Sequence, residues 1–186
     1  MKPTTDADGS VRQVLSLFKH SEKHAKLLSI SGGTGELHKF VGKYGSLLNE
    51  FHRGGQLQPV IVVVDNDATA KPMWSVIKEK MGSKTAVDGS AEYYHVQRNL
   101  FVVPIPILAG KSASIEDLFD KATLATKNKG KKFNPQLKSH QTASQYGKEI
   151  FVKWVIEANA ENIDFSGFEP LLKRLEKVLK VKLSGS

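Results

Sequence analysis

The chain contains no cysteine. Disulfides, thiolate zinc sites, iron–sulfur clusters and cysteine nucleophiles are therefore excluded, and a reducing, cytoplasmic setting is expected. Long apolar runs are also missing. Residues 60–64 and the proline-interrupted stretch 101–108 are too short to span a bilayer, so no membrane partner is expected. The polar first ten residues lack the apolar centre of a signal peptide. Acid is scarcer than base: 19 Asp+Glu stand against 27 Lys+Arg, a formal net charge of +8. That excess fits an anionic partner, most often nucleic acid, or simply a basic solvated surface.

What is present is enough for a core. The 186 residues are 40% hydrophobic and 25% charged, which suits one domain with a small appendage. No internal repeat is evident. Ser184-Gly185-Ser186 reads as an added linker, which implies an excised piece of a longer protein.

Apolar spacing predicts a helix over 11–28, with a short strand at its end, Leu27-Leu28-Ser29-Ile30-Ser31. After Gly32-Gly33-Thr34-Gly35, a second helix over 36–51 carries Leu37, Phe40, Val41, Tyr44, Leu47, Leu48 and Phe51 on one face. Over 59–64, Pro59 is followed by five β-branched residues without alternation, as in a strand covered on both faces. Asp65-Asn66-Asp67 ends it, and a helix over 69–81 follows. Alternating strands and helices predict a parallel α/β sheet. Residues 93–96 and 100–105 form a hairpin candidate, in which Pro104 and Pro106 make the second strand an edge or end it. Ser114 opens a short helix. Residues 121–148 hold seven lysines and no acid and read as mostly loop. Helices over 143–158 and 168–181 complete the chain. Trp74 and Trp154 read as core residues, and His20 and His24 as a solvated helix face.

Two carboxylates after a buried strand, Asp65 and Asp67, sit where open α/β sheets bind ligands. Side chains two apart in extended chain point the same way, so both can share a pocket. Two close carboxylates repel unless a cation lies between them, and Mg²⁺ (or Mn²⁺) is the hard, oxygen-liganded choice. The other reading is a polar turn in which Asp67 caps the next helix. Gly32, Gly33, Thr34 and Gly35 between a strand and a helix suit a phosphate cradled by backbone amides, or a tight turn. They match neither the dinucleotide fingerprint nor a P-loop.

This order of pieces resembles a Toprim domain, the fold of topoisomerases, bacterial primases and nucleases of the overcoming-lysogenization-defect type. Ser31-Gly32-Gly33-Thr34-Gly35, Asp65-Asn66-Asp67, Ser114-Ile115-Glu116-Asp117-Leu118-Phe119, Tyr146-Gly147-Lys148 and Ile163-Asp164-Phe165-Ser166-Gly167-Phe168 are together similar to the C-terminal Toprim-like effector region of some retron reverse transcriptases. The resemblance covers roughly residues 29–179. It implies an α/β fold, a Toprim-like Rossmannoid parallel sheet flanked by helices with a helical C-terminal extension. The parts would be a helical lead-in at 1–28, an α/β core at 29–110, and a basic loop with C-terminal helices packed on the core at 111–186.

The implied activity is metal-dependent hydrolysis of DNA or RNA phosphodiesters by the effector part of a retron-type anti-phage protein. Its partners would be nucleic acid and a fused or associated reverse transcriptase with its RNA–DNA product. Toprim domains carry Glu-Gly at the end of the first strand, and this chain has no carboxylate there. The resemblance therefore passes that role to Glu36 or Glu116, or leaves a site that binds without cutting. Glu36 also reads as a helix N-terminal acid, and Glu116 as part of a cap formed by Ser114 and Asp117. Asp65 and Asp67, with Glu116, would hold metal. The resemblance sets Lys148 against the scissile phosphate, while a solvated helix lysine is the plainer reading. Lys127, Lys129, Lys131, Lys132 and Lys138 would track the nucleic-acid backbone without reading sequence, or form a solvated loop.

A different enzyme class also fits part of the chain. Asp65-Asn66-Asp67-Ala68-Thr69 matches the Asp-x-Asp-x-Thr pattern of haloacid-dehalogenase-like phosphatases, with Asp65 as nucleophile. That motif normally opens the first strand of its fold, and here a strand–helix unit is predicted before it. A non-catalytic nucleic-acid-binding module is the third expectation.

Overall fold

Five consecutive β-branched residues form a strand, and its neighbours explain why none of them is polar. The computed structural model describes residues 4–5, 11–12, 36–50, 58–82, 86–110, 112–137 and 140–183. In chain order the elements are β1 (Thr4–Thr5), β2 (Val11–Arg12), α1 (Leu37–Glu50), β3 (Val60–Val64), α2 (Lys71–Met81), β4 (Tyr94–Gln97), β5 (Leu100–Pro104), α3 (Lys121–Leu124), β6 (Lys132–Phe133), β7 (Gln145–Tyr146), α4 (Lys148–Phe151) and α5 (Glu169–Leu179). The main sheet has the order β3-β5-β4. β3 and β5 are parallel, from Val60 opposite Leu100 to Val64 opposite Pro104. β4 is antiparallel to β5, with an irregularity between His95 and Gln97. The protein is thus mixed α/β, a small sheet flanked by helices.

One sheet face packs Val62, Val64, Tyr94, Val96, Leu100 and Val102 against Val41 and Tyr44 of α1 and Met73, Trp74 and Ile77 of α2. The other packs Phe101, Val103 and Ile105 against Leu171 and Val178 of α5. With helices on both faces, β3 and β5 need apolar side chains in both directions. A third cluster joins Tyr146, Phe151 and Val155 to Phe119, Leu124 and Phe133. Among the described residues no helix is long and apolar enough to cross a membrane.

Several expectations are corrected. The helix expected over 11–28 does not begin at Val11, because Val11–Arg12 pair antiparallel with Thr4–Thr5. The rest of that helix, the strand at its end, Gly32, Gly33, Thr34, Gly35 and Lys138 lie outside the described residues. The sheet is mixed rather than all parallel. β5 is the central strand, not an edge, and Pro104 ends it. Proline is tolerated there because β4 begins at Tyr94, opposite Val102, and offers nothing beside residue 104.

The helix expected from residue 143 starts at Lys148, because Gln145–Tyr146 pair with Lys132–Phe133 as a strand. It continues irregularly as a π-turn over Val152–Ile156 and 3₁₀ turns over Glu157–Asn162. Trp154 is 55% exposed, whereas Trp74 is buried. Phe151 and Val155 already fill the inner side of that helix, so Trp154 is turned outward. The lysine-rich stretch is folded rather than bare loop. Asn128 and Lys131 exchange backbone hydrogen bonds of 3.1 and 3.0 Å across a tight turn. Lys129 and Gly130 both have positive φ there, the hand of a type I′ turn.

Candidate functional site

β3 runs directly into Asp65-Asn66-Asp67, and the middle residue turns inward. Asn66 is buried; its Nδ2 donates to the carbonyls of Gly89 at 2.8 Å and Ile105 at 3.4 Å. Its backbone N–H and C=O bond Ala113 at 2.7 and 2.9 Å. Asn66 therefore clamps two incoming segments onto the strand end. Alternation in extended chain then places Asp65 and Asp67 on the other side.

Asp65 Oδ1 accepts the Ile115 N–H at 3.0 Å, which ties the Ile115–Leu118 turn to the strand end. Burial pushes the Asp65 carboxyl above the usual carboxylate range. Glu116 and Asp67 push the same way, while the Ile115 N–H and Lys148 oppose them. Asp67 Oδ1 accepts from the Thr69 N–H at 2.8 Å and the Thr69 hydroxyl at 2.5 Å. The capping reading of Asp67 is therefore realised, and the shared pocket expected for the two carboxylates is not. Asp65 lines a cleft of about 300 Å³ with His38, Thr69, Pro72 and Met73, and Asp67 is not on its wall.

The Ile115–Leu118 turn is held by a capping box. Ser114 N–H and Oγ donate to Asp117 Oδ2 at 2.7 and 2.9 Å. Glu116 points inward and accepts from Lys148 Nζ at 2.9 Å, with side chains 10% and 45% exposed respectively. Lys148 opens α4 immediately after Gly147, whose N–H donates to His140 C=O at 2.9 Å. The ring of Phe119 anchors the same turn, meeting Phe168 at 4.8 Å, Phe151 at 5.6 Å and Phe165 at 5.9 Å between centroids. Gly167 lies so close that a Cβ there would meet the Leu118 carbonyl oxygen at 2.1 Å. The Ser166-Gly167-Phe168 piece thus seats the segment that carries Glu116.

Four residues singled out in sequence, Asp65, Asp67, Glu116 and Lys148, are brought into one electrostatic neighbourhood. Glu36 does not join it. It pairs with Lys39 one turn along. From that end of α1 it is His38 that reaches the cleft. Sequence reading passed over His38; its signal was position, in the first turn of a helix that precedes the strand bearing Asp65. Lys127, Lys129 and Lys132 are exposed around the 128–131 turn, and Lys131 donates to Gln141 Oε1 at 2.8 Å.

Among the described residues no three imidazoles or carboxylates stand close enough to hold a metal by themselves. Mg²⁺ needs only one or two protein carboxylates beside waters and substrate phosphate. Asp65, Asp67 and Glu116 each use one oxygen in the hydrogen bonds above. Their hard-oxygen donor set fits Mg²⁺ or Mn²⁺.

Removing either partner of the Glu116–Lys148 pair isolates a charge. Lys148→Met is expected to cost about 1–2 kcal/mol, less than for a fully buried pair because Lys148 is half exposed. Glu116→Gln/Lys148→Met is expected to recover part of it. A double-mutant cycle from melting curves checks this; additive single effects would mean that the pair is not coupled.

No protein-family model matches the chain, and no solved structure matches it.

Proposed function

We propose that the chain is a Toprim-like, metal-dependent nuclease module that hydrolyses phosphodiester bonds of DNA or RNA. The observation carrying this reading is the meeting of three segments: the strand end with Asp65 and Asp67, the Ile115–Leu118 turn whose Ile115 N–H bonds Asp65, and the start of α4, whose Lys148 bonds Glu116 of that turn. Mutual repulsion of the acids is the condition that a bound dication relieves. Asp65, with Asp67 or Glu116 as the second carboxylate, would hold Mg²⁺ or Mn²⁺ beside waters and substrate phosphate. When bound, the metal neutralises charge on the phosphoryl oxygens and makes hydroxide available near neutral pH. Lys148, oriented by Glu116, adds positive charge for the scissile phosphate. His38 lines the same cleft as Asp65 and faces whatever ligand occupies it. The exposed lysines at 127, 129 and 132 supply sequence-independent attraction for the backbone. From the sequence resemblance we read the module as the effector part of a retron-type anti-phage protein, acting beside a reverse transcriptase and its RNA–DNA product.

The test is incubation with single- and double-stranded DNA and RNA, with Mg²⁺, Mn²⁺ or EDTA. Cutting that needs metal and is lost in both Asp65→Ala and Asp67→Ala is the expected result. Cutting that survives both substitutions would overturn the site. A second reading, phosphoryl transfer through Asp65, is favoured by Thr69 sharing the cleft with it. Turnover of a small phosphate ester with a phosphorylated Asp65 in the mass spectrum would select that reading. Salt-sensitive binding without cutting would select a binding module.

A further inference from the structure

We propose a second binding site, a cleft between α5 and the carboxyl end of β5 that grips the phosphodiester backbone of nucleic acid through Arg174. This rests on nucleic acid being the substrate, and it adds where the backbone is held.

α5 packs inward through Leu171, Leu175 and Val178. Arg174 borders that inner face, and with Lys173, Lys177 and Lys180 of the outer side it lines a cleft of about 350 Å³ that also includes Pro106, Glu92 and Glu176. Arg174 is the unusual member. Its Nη1 donates to the Pro104 carbonyl at 2.9 Å, a group that β4 is too short to reach. That bond aims the guanidinium. The side chain is half-buried, yet among the described residues it forms no ion pair with a carboxylate. Burial pushes its pKa down, with nearby Glu92 opposing. A partly desolvated guanidinium that among the described residues bonds only a backbone carbonyl suits a phosphate taken bidentately.

The flanking lysines do have carboxylates. Lys173 bonds Glu169 at 2.8 Å, Lys180 bonds Glu176 at 2.6 Å and Lys177 bonds Glu92 at 2.6 Å. Such exposed pairs are weak, so a polyanion can replace the acid as partner.

Placement ties this cleft to the acidic site. Pro104 is the register partner of Val64, the residue before Asp65. The Ile105 N–H donates to Val64 C=O at 2.8 Å. Arg174 is therefore anchored one strand from Asp65, with α5 on one sheet face and the Asp65 cleft beside α1 and α2 on the other. A backbone crossing the carboxyl end of the sheet meets both.

The experiment is fluorescence anisotropy of short fluorescein-labelled single-stranded DNA and RNA with the whole chain, in EDTA, over a salt series. Arg174→Gln is expected to weaken binding about tenfold and to flatten the salt dependence by about 0.7 in log–log slope for each phosphate that is no longer neutralised. Lys173→Gln/Lys180→Gln, which leaves the Pro104 bond intact, is expected to flatten the slope without lowering the melting temperature. Wild-type affinity and slope in both variants would overturn the proposal. If Arg174→Gln unfolds, the lysine pair alone decides. Asp65→Asn is expected to bind at least as tightly as wild type. Binding that depends on Arg174 in a protein that never cuts with Mg²⁺ would sink the nuclease reading and leave the cleft standing. Cutting with Arg174-independent binding would do the reverse.

Discussion

Asp65→Asn is expected to reduce metal-dependent cutting by about a hundredfold or more while leaving the metal-free protein at least as stable as wild type. The two halves have one cause. Burial and the neighbouring acids raise the Asp65 carboxyl pKa, so folding disfavours its ionised form. Asparagine removes that charge and keeps an oxygen to accept the Ile115 N–H. The sign of the pH dependence follows. A carboxyl raised on folding destabilises the protein above the raised value and ceases to do so below the ordinary one. Acidification through that window is expected to narrow the stability gap between Asp65→Asn and wild type. Melting curves of the two proteins across mildly acidic pH, compared by difference, isolate Asp65 from acids that titrate in both. The lowered pKa values of Glu92, Asp120 and Asp164 act in the opposite direction and cancel. A variant that melts well below wild type at neutral pH would show that Asp65 serves structure rather than a ligand.

Gly89→Ala is expected to destabilise the fold by about 3 kcal/mol, which for a chain of this size lowers the melting temperature by about 6–12 °C. Gly89 has φ +84°, and a Cβ would lie 2.2 Å from Asn66 Oδ1. Neither side can yield easily. The Asn66 amide is held by the Gly89 and Ile105 carbonyls, and the Gly89 N–H donates to the buried Tyr94 hydroxyl at 2.9 Å. Displacing Asn66 moves the strand end that presents Asp65, so activity is expected to fall with stability. Gly82 is the control: it has φ +88° but, among the described residues, nothing within 4 Å of a Cβ. Gly82→Ala is expected to cost only about 1 kcal/mol, from backbone strain. Equal melting temperatures for the two variants would refute the clamp at Asn66.

The pattern of side chains along single elements was legible in the sequence. Residues 60–64 announced a strand buried on both faces, and the 3.6-residue spacing of Leu37, Phe40, Val41 and Tyr44 announced α1 and its inner side. The Ser114–Asp117 cap was legible because both partners lie within one turn. The order of Asp65, Glu116 and Lys148 was visible too, as separate candidates.

What sequence by itself determined is this set of local periods and caps, an α/β class and the placing of acids after a buried strand. These depend on neighbours in the chain. The tertiary structure decided everything that depends on neighbours in space. It turned Asn66 inward and used one Asp67 oxygen as a cap. It joined Glu116 to Lys148 across 32 residues and brought His38 rather than Glu36 to the cleft. It also left Arg174, among the described residues, on a backbone carbonyl instead of a carboxylate. No one-dimensional pattern encodes those outcomes, because each is settled by which polar groups burial leaves within hydrogen-bonding reach.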